Sequence, residues 1–199
     1  MKVKTWESEW KDFKKSNFWG RRLHKEQKRT IKQILSNIKL TKNAKILDMG
    51  CGGGRTLSWF REFGYKNSIG IDNSKNSIKL CQQRGFRIKK DIFLMNASRT
   101  KFKKNRFDLV FADGVLEHYK DFSPLVKEIT RISKRYVLIT QPNHFSFFGR
   151  VLKFFGRHTV FEYSYKIEDF KKAFKTQNFM LKIKRNYNLN EQFALLFER

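Results

Sequence analysis

The residues best suited to chemistry form one short run, Asp48-Met49-Gly50-Cys51-Gly52-Gly53-Gly54. An apolar stretch, Ala44 to Leu47, precedes it, and a helix-like segment, Arg55 to Phe63, follows. The order is strand, acid, glycine turn, helix. Glycines at 50, 52 and 54 let the backbone turn tightly and leave no Cβ between it and a ligand. The small side chain of Cys51 suits the same turn. A dinucleotide site would need Gly-x-Gly-x-x-Gly facing a pyrophosphate. Here the third glycine comes one position early. Asp48 would also repel a phosphate, whereas it suits a ligand carrying an ammonium group.

A second apolar run, Ser68 to Ile71, ends in Asp72-Asn73. An acid about 20 residues beyond a glycine turn, at the end of the next strand, can accept hydrogen bonds from ribose hydroxyls. Further on stands Glu117-His118. An imidazole has an ordinary pKa near 6.5, suited to accepting a proton. His118 is therefore the candidate general base, and Glu117 either orients it or faces solvent. A purely structural role for this pair is the alternative. His144 and His158 are lesser candidates. The four histidines have no ligand-like spacing, so no metal is expected.

These groups need strands and helices to hold them. Strands are expected near 44–49, 68–72, 86–90, 107–111 and 136–141, with helices between them near 54–63, 75–84 and 123–133. Ser123-Pro124 is a good helix start. Alternating strands and helices imply a parallel sheet with ligands at the carboxyl ends of its strands, where Asp48, Asp72, Asp91 and Ala112 are expected. Residues 16–38 read as a helix. Residues 167–176 read as another, followed by a hairpin of 179–184 and 192–197.

The ordered motifs resemble the class I S-adenosylmethionine (SAM)-dependent methyltransferases. Asp48, Gly50, Gly52 and Gly54 match the first motif of that family, and Asp72 the second. Arg87-Ile88-Lys89-Lys90-Asp91-Ile92 resembles the third, whose acid and following apolar residue contact adenine. Phe107 to His118, containing Ala112-Asp113, resembles the fourth. The likeness is close over 44–142 and looser elsewhere. It implies an α/β fold: a Rossmann-like doubly wound sheet of about seven strands, mostly parallel with an antiparallel C-terminal strand, and helices on both faces. It also implies SAM as cofactor and methyl transfer to an acceptor. One domain, 1–199, is expected. Within it, 1–40 would form a helical lid rich in aromatics such as Trp6 and Trp10, and 143–165 a substrate-side insertion resembling that of ubiquinone-biosynthesis-type enzymes.

The net charge of +26 is unevenly placed. Residues 1–45 hold 14 basic and 4 acidic residues, and 75–106 hold 11 and 1. Segments 46–74 and 107–140, which carry the glycine turn and the Glu117-His118 pair, are neutral. The excess is either a solvated lysine-rich surface or a surface for nucleic acid, anionic membrane or an acidic substrate. In residues 144–158, Phe148, Val151, Leu152 and Phe155 share a helical face beside Arg150, Lys153 and Arg157. That pattern suits a cover for an apolar acceptor, a membrane contact or a core helix. Phe148, His144 and Glu117 are the candidate acceptor contacts. A small-molecule acceptor is the first reading. A nucleic-acid methyltransferase is second, because Ala112-Asp113-Gly114-Val115 is not the Pro-Pro-aromatic motif that holds a flipped base. Two cysteines and no apolar leader fit a cytoplasmic protein, with peripheral membrane contact as an option.

Overall fold

A computed structural model describes residues 18–146 and 162–199, with side chains described from residue 22 on. The first helix among the described residues, α1 (Phe18–Ser36), leads into β1 (Ile46–Met49). Then follow α2 (Arg55–Glu62), β2 (Ser68–Asp72), α3 (Lys75–Gln83), β3 (Ile92–Leu94) and β4 (Phe107–Asp113). A single 3-10 turn, Leu116–His118, precedes α4 (Ser123–Ile132) and β5 (Ser133–Pro142). The chain closes with α5 (Ile167–Lys175), β6 (Met180–Tyr187) and β7 (Gln192–Glu198). The sheet has seven strands in the order β3-β2-β1-β4-β5-β7-β6. Pairings from β3 to β5 are parallel, and β7 is antiparallel to both β5 and β6.

The sheet is apolar on both faces because its strands alternate between two buried sets. Leu47, Val110, Val137, Leu195 and Phe197 pack with α4 and α5 on one side. Ile46, Leu109, Phe111, Leu138 and Leu196 pack with α1 and α2 on the other. A period of two places neighbours on opposite faces, so one strand serves both cores. In α1, Gln27, Thr30, Ile31, Ile34 and Leu35 are buried, the i, i+3/4, i+7/8 stripe of an amphipathic helix. Ser74 caps α3 by accepting from the Ser77 N–H. Among the described residues no helix is long and apolar enough to cross a membrane.

One expected strand is displaced. The third forms at Ile92–Leu94, not at 86–90. Residues 85–91 instead curl into a turn. Gly85 and Lys89 both have positive φ, the Asp91 N–H donates to the Arg87 carbonyl at 2.8 Å, and the Asp91 carboxylate accepts from the Arg87 N–H at 2.9 Å. The fifth strand also begins early, at Ser133, directly after α4. Within the region 1–40 expected as a lid, residues 18–36 form α1, which packs on the core through Ile31, Ile34 and Leu35. Residues 1–17 and 147–161, including Trp6, Trp10, Phe148 and His158, lie outside the described residues.

Candidate functional site

The carboxyl ends of β1, β2 and β4 meet at the glycine turn. The Gly50 and Cys51 N–H groups both donate to the Ile71 carbonyl, at 2.8 and 2.9 Å, tying the turn to β2. The Gly52 N–H donates to Asp72 Oδ2 at 2.9 Å, and the Ser74 N–H donates to Oδ1 at 2.9 Å. Asp72 thus braces the turn, and burial raises its carboxyl above the ordinary range although these donors pull it back. Gly50 and Gly54 have φ of 73° and 78°. A Cβ at 50 would lie 2.7 Å from Val115, and one at 54 would lie 2.9 Å from the Phe86 ring. Packing within the protein therefore demands these two glycines, apart from any ligand. Asn73 is exposed beside Asp72.

Asp48 is fully buried and accepts from the Thr56 hydroxyl on α2. Its carboxyl is pushed up to about 7, first by burial and further by the charges of Asp113 and Asp72. Its other oxygen, Oδ1, is buried with no hydrogen-bond partner among the described residues. An unpaired buried carboxylate oxygen is costly, and an incoming cationic donor would relieve it.

Ala112 is buried in β4, and Asp113 ends that strand. Asp113 ties four elements together. It accepts from Gln27 of α1 at 2.7 Å and from the Thr140 hydroxyl of β5, and it pairs with Arg55 of α2 at 2.8 Å. His24 of α1 stands close enough to feel Arg55. Burial first, then that charge, lowers its pKa to about 4, so its imidazole is neutral near pH 7.

Beyond β4, the 3-10 turn carries Glu117 and His118. Glu117 is buried, which corrects the option that it faces solvent. Burial raises its carboxyl well above the ordinary range, and the nearby Glu162 and Asp113 charges add to the effect. His118 Nε2 lies 4.0 Å from Glu117 Oε1, and His144 Nε2 lies 3.3 Å from Glu162 Oε2. Glu117, His118 and Glu162 place one ligand atom each within 4.8 Å of one another, a spacing that could hold a divalent cation. Sequence spacing gave no sign of this trio. Glu162 comes in from far along the chain and is held by its neighbour, since the Tyr163 N–H donates to the Glu117 carbonyl at 2.7 Å.

Asp91 and Ile92 do not join this site. Asp91 precedes β3, and Ile92, Phe93 and Leu94 pair with Gly70, Ile71 and Asp72. It is Leu94, not Asp91, that lies level with the acid ending β2. Asp91 sits at the amino edge, held by Arg61 at 2.8 Å and Arg87 at 3.0 Å. Burial alone would raise its carboxyl, but the hydrogen bonds from Arg87 and the charge of Arg61 outweigh that and hold it low. Ile92 is buried among Leu57, Ile78, Cys81 and Phe86. The residues at the carboxyl end of β3 are Met95, Asn96 and Ala97, and the Met95 N–H donates to the Asp72 carbonyl at 2.9 Å. The apolar run Ile92-Phe93-Leu94 ahead of Asn96 was the available signal.

Residues 47–139 match the methyltransferase domain family. They form a class I SAM-dependent methyltransferase domain. The cofactor of this domain is SAM, and the residues present fit it. A glycine turn ending beside a buried, partly unsatisfied carboxylate suits a ligand with an ammonium group and no phosphate. The chain is 33% identical over 104 residues to a ubiquinone biosynthesis O-methyltransferase of Pelagibacter ubique, an alignment covering 52% of this chain and 43% of that protein. It is 33% identical over 155 residues to a demethylmenaquinone methyltransferase of Lactiplantibacillus plantarum, covering 67% and 65%. The chain thus spans less than two thirds of either relative. Among solved structures, magnesium protoporphyrin IX methyltransferase from Synechocystis with bound SAH superposes with a TM-score of 0.71 at 18% identity, covering 93% of this chain and 89% of that one. At that identity the methyltransferase likeness is one of fold.

Proposed function

We propose that the chain transfers the methyl group of SAM to a small-molecule acceptor that enters beside Glu117 and His118. The observation that carries this reading is the grouping of acid–base side chains, Glu117, His118, Glu162 and His144, just past β4 and adjoining the SAM-side carboxylates. The relatives named for ubiquinone and menaquinone chemistry act on small molecules, which supports the same acceptor class.

SAM supplies an electrophilic methyl group on a positively charged sulfur. The protein's part is to bind, orient and exclude water. Asp48, the Gly50–Gly54 turn and Asp72 would hold the cofactor, together with Asn73, Asn96 and Asp113. Holding nucleophile and methyl in line supplies much of the rate. For a hydroxyl acceptor, His118 would take the hydroxyl proton as the oxygen receives the methyl group that SAM supplies when bound. Glu117, with Oε1 4.0 Å from His118 Nε2, would orient that imidazole. His144 and Phe148 would contact the acceptor.

The test is release of demethylated cofactor, measured with a panel of phenols and quinols and, separately, with total RNA. Turnover that requires one of the small molecules supports the proposal. Turnover with RNA alone refutes it.

A further inference from the structure

At the amino edge of the sheet, the end away from the glycine turn, lies a cavity of about 690 Å³. Six cations line it, Lys45, Arg61, Lys66, Arg87, Lys90 and Arg106, against one carboxylate, Asp91. Asp91 fixes the guanidinium groups of Arg61 and Arg87 at 2.8 and 3.0 Å, and Arg61 also lies over the Phe86 ring at 4.5 Å. Among the described residues, Lys45, Lys66, Lys90 and Arg106 form no ion pair.

Topology arranges those four. Lys90 leads into β3, Lys66 into β2, Lys45 into β1 and Arg106 into β4. These strands are neighbours in that order. At about 4.8 Å between strands, the cations form a row roughly 14 Å long. A row of unpaired cations facing a recess calls for a linear polyanion. The cavity has the size of a small-ligand site, roughly 300–1,000 Å³. A flat membrane surface would reach only its rim.

We propose that this cavity binds a small ligand bearing a chain of two or more phosphate groups, on the face opposite the SAM site. Phosphate oxygens would take charge-assisted hydrogen bonds from the four unpaired cations and from the pre-set guanidinium groups. The two ligands would then bind without competing.

Calorimetry with inorganic triphosphate tests this on the whole chain. Wild type should bind it equally well with and without saturating SAM. The triple variant Lys45→Ala/Lys90→Ala/Arg106→Ala should weaken binding by about tenfold or more, since it removes three charged donors. All three residues are exposed, so SAM affinity should not change. A control triple on α5, Lys171→Ala/Lys172→Ala/Lys175→Ala, should stay within about twofold of wild type, and the single Lys90→Glu should weaken binding on its own. Equal weakening by both triples would mean that overall charge, not this cavity, binds the anion, and would overturn the proposal. So would triphosphate binding that SAM abolishes. Tighter binding of single-stranded RNA or of phosphatidylserine vesicles that both triples weaken alike would assign the basic surface to a macromolecule instead.

Discussion

Replacing Asp48 with Asn should make the protein more stable at alkaline pH while weakening its hold on SAM. Burial pushes the folded carboxyl up to about 7 from an ordinary value of 3.8. Below about pH 4 the carboxyl is protonated in both folded and unfolded chains, and its ionisation does not bear on stability. As pH rises, the unfolded chain releases the proton first and the folded one keeps it. Stability is therefore lost from about pH 4 up through about pH 7, and the loss is complete above that. A difference of about 3 pKa units corresponds to about 4 kcal/mol. Asn keeps an acceptor for Thr56 and has no proton to release. The stability difference between variant and wild type should thus grow by up to about 4 kcal/mol between pH 4 and pH 8. Urea unfolding at four pH values across that range measures it, and calorimetry gives the SAM affinity. Parallel pH profiles for the two proteins would refute the reasoning, because they would mean that Asp48 is not a buried carboxyl with a raised pKa.

Asp72→Ala should weaken SAM binding by about 1.5–3 kcal/mol, the scale of hydrogen bonds to a charged group, whereas Asp91→Ala should lower thermal stability and leave SAM affinity within about twofold. Calorimetry on the pair separates the two edges of the sheet, and a larger effect at Asp91 would contradict its placement. Gly54→Val should unfold or strongly destabilise the domain, since its Cβ would meet the Phe86 ring at 2.9 Å from a backbone with φ of 78°; a normal melting temperature would argue against the packing described. His118→Ala should slow turnover by about a hundredfold with SAM affinity unchanged, and full activity on the true acceptor would leave His118 a structural residue.

Much of this domain can be read from residue order. An apolar run ending in an acid and a glycine turn specifies both a strand and its polarity, so the sequence alone places Asp48 and Asp72 at strand ends. The third strand was not. Its three residues are too short to show a period, while Arg87-Ile88-Lys89-Lys90 mimics one and is instead a turn held by Asp91. The meeting of Glu162 and His144 with Glu117 and His118 was illegible for a different reason. It depends on where the chain returns after β5, which no local pattern encodes.

The charge pattern shows what topology adds to sequence. Along the chain, the neutral segments that carry the site's acids, 46–74 and 107–140, follow two base-rich ones, 1–45 and 75–106. In the fold, Asp48, Asp72 and Asp113 fall at carboxyl ends of strands, while Lys45, Lys66, Lys90 and Arg106 fall just before the amino ends. Helices in parallel crossovers run against the strands. Their partly positive N-termini therefore face the acids, and their partly negative C-termini face the bases. Each edge complements its own loops. A single strand direction thus sorts the charges, leaving an acidic mouth suited to a cationic cofactor and a basic foot suited to an anion.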